Sequence, residues 1–301
     1  MKKAFEMEKK DFDNIIRKNL VAQVGEDSFG YEITDTIKYA NYYNEKEFNS
    51  FLNEMQLPKY KKIYEAYGDG KGRELTKHKC GSGIYPPKMA SVASSSRFCY
   101  LALRDGAAGL GSSGAVDFEH GCTITGIKGT APQLDAYIPK DNIYVEVKCH
   151  EIFDQHRIIM KEAYWNLVFG LGNDFGFSMM EKLKKDTFEI PLTAFGAEKK
   201  NSMFDMKQFI CHLLGIASQK KRDIPAALVY LFFKPKVQQA DEAMEIEKVF
   251  SILQEEIKII FGSEPIQQFV KKNNIRLWAV AEYAEAMGEL TVDNRVTLGN
   301  G

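Results

Sequence analysis

Residues 132–151, PQLDAYIPKDNIYVEVKCHE, constrain the fold more than any other stretch, because they tie two strands to each other and to a set of charges. Two β-rich runs, 133–138 and 143–149, flank the turn-forming Pro139-Lys140-Asp141-Asn142, so a β-hairpin is predicted. Asp135 lies on the first run, and Glu146 and Lys148 on the second. Alternate strand residues share a face, so Tyr144, Glu146 and Lys148 should form one row while Val145, Val147 and Cys149 turn into a core. Charges set among aliphatic neighbours must be paired, solvated or bound to metal. Two carboxylates converging across a hairpin repel each other, and a divalent cation relieves that repulsion. Mg²⁺ suits such a site because it engages only one or two carboxylates and leaves room for water and phosphate. A lysine two residues past the second carboxylate can neutralise charge developing on a phosphate, so the set fits phosphodiester hydrolysis.

Asp135 followed by Glu146-Val147-Lys148 resembles the signature of the PD-(D/E)XK nuclease superfamily, the restriction-endonuclease-like fold. Ser95-Ser96, Phe118-Glu119 and His212-Leu213-Leu214-Gly215 extend the resemblance, which covers roughly residues 86–235. The motif proline is Pro132, three residues before the aspartate instead of beside it. The resemblance implies a mixed α/β (α+β) core ordered α-β-β-β-α-β, with a mixed central sheet flanked by helices. It also implies a Mg²⁺-dependent DNA endonuclease, Mn²⁺ substituting, in bacterial restriction or genome defence. Asp135 and Glu146 would hold the metal with Glu119 as a further ligand, and Lys148 would face the water or phosphate. The alternative is a catalytically silent nucleic-acid-binding or structural module of the same fold.

Composition sets outer bounds. The chain has 301 residues, 45% of them hydrophobic and 27% charged, so it can bury a sizeable core. It has no run of eighteen apolar residues, and its start, MKKAFEMEKKDFD, lacks an apolar signal core, so a soluble, cytoplasmic protein is expected. Five scattered cysteines without a C-x-x-C pattern indicate neither a disulfide framework nor a zinc ribbon. A net charge of −1 argues against a generic polyanion binder, yet positive charge is locally dense. Lys71, Arg73, Lys77 and Lys79 fall in a glycine-rich stretch, 68–87, that reads either as a basic arm over nucleic acid or as a surface connection. Glu74 is the carboxylate of that stretch with a chance of reaching the site. Two further clusters are Lys182, Lys184 and Lys185, and Lys220, Lys221 and Arg222.

The remaining chain divides into a helical N-terminal region with the basic loop, 1–85, and a nuclease-like core, 86–301. Phe12, Ile15, Ile16 and Leu20 mark the first helix, and Asn44 with Glu47 caps a second. Helices are expected over 89–104, 203–218 and 236–261, and strands over 115–124, 226–233 and 275–283. Gly109 to Gly114 satisfies G-x-G-x-x-G but follows a helix and precedes a strand, so it reads as a turn. Residues 150–200 form a helical insertion in which Trp165, Phe169, Phe175, Phe177 and Met180 need a packing partner, either the core or a second copy in a homodimer. Residues 298–301 are expected to fray. On the helix over 203–218, Gln208 is expected beside Phe204 on the side turned to the core, with Lys148, Glu146 or water as its hydrogen-bond partner.

Overall fold

AALVYLFF, residues 226–233, shows no alternation of apolar and polar positions, which a strand can tolerate only when both of its faces are covered. The computed structural model describes residues 7–70, 73–125, 127, 131–167, 181–184, 187–197, 201–219 and 224–301. It places this strand inside a six-stranded sheet. The N-terminal elements are α1 (Lys9–Val24), β1 (Phe29–Thr34), β2 (Ile37–Tyr43), α2 (Glu45–Met55), α3 (Lys61–Asp69), β3 (His78–Cys80) and β4 (Gly83–Tyr85). The middle of the chain forms α4 (Ser95–Leu103), β5 (Asp117–Gly121), β6 (Gln133–Ile138), β7 (Ile143–Lys148), β8 (Ile158–Lys161), α5 (Glu162–Leu167), β9 (Glu181–Lys184) and β10 (Thr187–Ile190). The last third contributes α6 (Met206–Gln219), β11 (Ala226–Pro235), α7 (Ala240–Gly262), α8 (Glu264–Lys272), β12 (Ile275–Ala284) and β13 (Arg295–Asn300).

The sheet order is β13-β12-β11-β7-β6-β5. Strands β5, β6 and β7 form an antiparallel meander, β11 is parallel to both β7 and β12, and β13 closes the far edge antiparallel. A parallel β7–β11 pair needs a crossover, which the inserted segment and α6 supply. Helix α4 packs on one face, where Phe98 meets Phe233 edge-on at 5.4 Å. Phe209 of α6 and Phe261 of α7 cover the other face, 5.5 Å apart and beside Tyr230. The fold is therefore mixed α/β with a six-stranded mixed sheet and, among the described residues, eight α-helices. Buried residues from Met7 to Leu298 form one apolar cluster, so the N-terminal region shares its core with the sheet. Among the described residues no helix is long and apolar enough to cross a membrane.

Several expectations need correction. The N-terminal region is not purely helical: β1 and β2 form an antiparallel hairpin, and β3 pairs with β4 inside the expected loop. The tyrosines and isoleucines of FGYEIT and IKYANYY suit a half-covered sheet face, and that local preference prevails. The expected helical insertion is, where described, mixed: β8, β9 and β10 form a three-stranded antiparallel sheet in the order β8-β10-β9, while α5 and two short 3-10 turns, His150–Phe153 and Leu192–Phe195, are helical. Phe169, Phe175, Phe177 and Met180 lie outside the described residues, as do Lys71, Lys185 and Lys220 to Arg222. Helix α4 starts at Ser95, six residues later than expected, because the Ser94 side chain caps it by accepting the Arg97 N–H at 3.2 Å. The C-terminus does not fray. Leu298 is buried within β13, and Leu277 and Gly301 exchange both backbone hydrogen bonds at 3.1 Å.

Candidate active site

The hairpin forms as expected except that its second strand ends at Lys148, one residue early, and its register decides what meets what. Ala136 pairs with Val145 on β7, and one step further along the same register lies Asp135 opposite Glu146. The ladder ends there, and the Asp135 carboxylate takes over by accepting the Val147 N–H at 2.6 Å. On the other side of β6, the pairs Phe118↔Ala136 and His120↔Leu134 put Glu119 level with Asp135. Glu119 has φ +54°, a left-handed conformation that few non-glycine residues adopt. Such strain persists only where surrounding structure enforces it, and it clusters at functional sites. Across β7, Glu146 stands beside Tyr230 of β11.

Glu146 is only 3% exposed, so the solvated-face reading of the hairpin charges does not apply to it. The row of Glu146 and Lys148 was expected to face away from the core; instead both faces of β7 are covered. Lys148 Nζ donates to Glu146 Oε1 and to Gln208 Oε1, each at 2.7 Å. Glu146 Oε2 is buried without a hydrogen bond, 3.7 Å from His212 Nε2. Burial opposes the Lys148 ammonium, but Glu146, Glu151 and Asp135 together outweigh it and raise its pKa. Lys148 therefore stays charged.

Gln208 reaches the site by a different route from the one expected. Phe204 precedes α6, so the two residues do not share a helix face; Asp205 caps α6 by accepting the Gln208 N–H at 2.9 Å, which puts Gln208 in the first turn. His212 follows one turn later on the same side. Its Nε2–H donates to the Gln133 carbonyl and its Nδ1 accepts from the Tyr230 hydroxyl, both at 3.2 Å. The carbonyl places a proton on Nε2, and burial lowers the His212 pKa, which favours the neutral ring and leaves Nδ1 to accept. Gly215 lets the helix lie this close, since a Cβ there would come within 2.6 Å of the Cys122 side chain. His212 and Tyr230 thus buttress Glu146. Helical spacing from Gln208 signals the first, but nothing short of the β7–β11 register signals the second.

Glu119, Asp135, Glu146, Lys148 and Gln208 line one cavity of about 230 Å³, which also takes in Glu74, Ser95 and Ser96. Burial, then Glu74 and Glu146, push the Glu119 carboxyl up to about 7. Burial, then Glu146, push Asp135 well above the usual carboxylate range, against the opposing effects of Lys148 and the Val147 N–H. Of the basic stretch, the described residues Arg73, Lys77 and Lys79 do not line this cavity. Lys77 sits 3.1 Å from Glu45, Arg73 donates to the Lys79 carbonyl, and among the described residues of that loop only Glu74 lines the site.

Among the described residues no three His, Cys, Asp or Glu side chains are gathered tightly enough to ligate one ion as they stand. The donor chemistry nevertheless fits a hard cation. Carboxylates crowd one another here, and one buried carboxylate oxygen has no donor.

A pH dependence follows from Glu119. Its folded pKa lies above the unfolded value, so the folded state holds the proton more tightly. Stability of the metal-free protein should then fall as pH rises from about 4.5, the ordinary glutamate range, through about 7. Glu119→Gln should flatten that decline and raise the melting temperature at pH 8 in EDTA. Thermal melts from pH 5 to 8 on both proteins check this, and an unchanged slope would contradict it.

No family model, no curated protein and no solved structure matches this chain.

Proposed function

We propose that the chain is a divalent-metal-dependent DNA endonuclease of the PD-(D/E)XK kind, hydrolysing phosphodiester bonds in bacterial restriction or genome defence. One observation carries the reading: Glu119, Asp135, Glu146 and Lys148 line a single half-open cavity, and a buried Glu146 oxygen there lacks a hydrogen bond. The order α4, β5, β6, β7, α6, β11 supports it, being the α-β-β-β-α-β succession of that superfamily. Asp135 and Glu146 would hold Mg²⁺ or Mn²⁺, with Glu119 as a further ligand. Held by these carboxylates, such a cation would supply a lowered water pKa and charge stabilisation at the phosphoryl oxygens.

Everything else falls to the chain's own groups. Lys148 carries a fixed positive charge to the cavity wall, where negative charge develops on the phosphate. Glu146 and Gln208 hold that ammonium from two sides, so it needs little reorganisation when substrate arrives. Neutral His212 and Tyr230 keep the Glu146 row packed without adding a competing charge. Incubation of the purified protein with plasmid, single-stranded DNA and RNA, each with Mg²⁺, Mn²⁺ or EDTA, tests the reading. Metal-dependent cleavage of DNA is expected, and DNA left intact under all metals, by a protein that melts cooperatively, would instead favour the silent module.

Gln208 supplies a finer test. Gln208→Leu removes one of the two acceptors of Lys148 but leaves Glu146 in place, and the site is partly exposed. Stability should change little, while cleavage at saturating Mg²⁺ should fall by about tenfold or more, the scale of a misplaced catalytic group. Wild-type cleavage by a well-folded Gln208→Leu protein would reduce α6 to scaffold.

A further inference from the structure

A second cavity, of about 360 Å³, adjoins the acidic one and shares Gln133 and Gln208 with it. We infer that this cavity receives the nucleotide next to the scissile phosphate of an unpaired DNA strand, its base against Tyr164 and its phosphate against Lys207. The assignment rests on the nuclease reading for its reaction, but not for its binding chemistry.

Continuity gives the first argument. A strand whose phosphate lies in the acidic cavity can continue past Gln133 and Gln208, the two residues that line both spaces. Size gives the second. The volume sits near the lower end of the range of about 300–1,000 Å³ that holds single small ligands, which suits one unstacked nucleotide and not a duplex whose major groove alone is about 12 Å wide.

Charge and shape give the third. Lys207 is exposed in the first turn of α6 and forms no ion pair among the described residues. Asp205 also lines the cavity, but its carboxylate is engaged in capping α6 and lies 3.5 Å from His156. Among the described residues Lys207 is therefore the unpaired charge on this wall, while the Asp205 carboxylate is held against the first turn of α6. Tyr164, partly buried on α5, lines the cavity, where the other aromatic ring, His212, is buried and hydrogen-bonded through both nitrogens. Every base has a π-face, so an aromatic side chain selects for strandedness and not for sequence. A base in a duplex would have to leave its stack to reach Tyr164, whereas one in a single strand would not. Because α5 belongs to the segment inserted between β7 and α6, that insertion would supply the substrate preference and the sheet the chemistry.

Binding in EDTA separates this assignment from the reaction. Fluorescence anisotropy with an end-labelled single-stranded oligonucleotide and with the matching blunt duplex should show the single strand bound at least tenfold more tightly. Tyr164→Ala should weaken that binding by about tenfold, and Tyr164→Phe should restore it to within about twofold, because stacking needs the ring and not the hydroxyl. Lys207→Gln lies on the surface and should fold normally. It should reduce the slope of log affinity against log salt by about 0.7, the signature of one lost phosphate contact on a single strand. Equal or tighter binding of the duplex, or wild-type affinity in folded Tyr164→Ala with an unchanged salt slope in Lys207→Gln, would overturn the assignment. Binding that tracks Tyr164 and Lys207 in a protein that cleaves nothing with Mg²⁺ or Mn²⁺ would leave the nucleotide cavity standing and remove the nuclease reading. Metal-dependent duplex cleavage indifferent to both residues would do the reverse.

Discussion

Asp135→Asn should abolish metal-dependent cleavage and at the same time stabilise the metal-free protein. Residues that merely orient a metal ligand cost about 10–100-fold when removed, so loss of a ligand itself should exceed about 100-fold. The stability gain has a separate cause. Burial and the facing Glu146 raise the Asp135 pKa, so the charged carboxylate is disfavoured in the folded state, and stability is lost as pH climbs from the ordinary aspartate range toward the raised folded value. Asparagine carries no charge to disfavour and can still accept the Val147 N–H. Glu146→Ala should behave oppositely in stability. The Lys148 ammonium, 14% exposed at its side chain, would lose its 2.7 Å carboxylate partner, and breaking a buried pair this way costs about 3–5 kcal/mol. Both variants should be inactive, yet melts in EDTA at pH 8 should move in opposite directions. Retained cleavage in either would sink the metal-site assignment, and parallel destabilisation of both would mark the carboxylates as structural.

That divergence was not readable from the sequence, where both carboxylates looked equivalent across a hairpin. Alternation along 133–138 and 143–149 located the strands, and the apolar run of 226–233 located the sheet centre. Neither states that Glu146 lies under α6 while Asp135 stands where the ladder ends, because which face receives a helix depends on the β7–β11 crossover. Glu74 was a candidate from its place in the glycine-rich stretch and Glu119 from the family resemblance, and the two do meet in the cavity. The left-handed turn at Glu119 left no trace in the sequence, being a backbone property at a residue that rarely adopts it. The β1–β2 hairpin and the three-stranded insertion were missed for a common reason. Strands of four to seven residues leave few positions in which a clear alternation can show, and β1, β2 and β8 to β10 are all of that length. Basic residues misled in turn: Lys77 lies over the Tyr31 ring and pairs with Glu45, serving the packing of α2.

Lys148 offers the sharpest separation of chemistry from metal binding. Its ammonium is held by Glu146 and Gln208 at equal distances, a slot that fits a compact point charge. Arginine keeps the charge but spreads it over a planar fork, and overpacking a filled site costs about 1–3 kcal/mol. Lys148→Arg should therefore fold less stably and lose most of its cleavage, by about 100-fold or more, the scale of removing one preorganised donor to a developing oxyanion. Lys148→Met should be at least as inactive, because no positive charge then faces the phosphate. Metal binding should respond differently. A ligand that binds only the folded state raises stability by RT ln(1 + [L]/Kd), so Mn²⁺ titrations followed by melting temperature report affinity without any cleavage. In Lys148→Met the ammonium no longer competes for Glu146 Oε1, and the Mn²⁺-induced rise should equal or exceed that of the wild type. In Asp135→Asn the rise should be lost. If Lys148→Arg cleaves like the wild type, only long-range charge is needed and the geometric role of Lys148 falls. If instead Lys148→Met abolishes the Mn²⁺ response along with cleavage, the lysine is holding the carboxylates in place and the catalytic assignment moves elsewhere in the cavity.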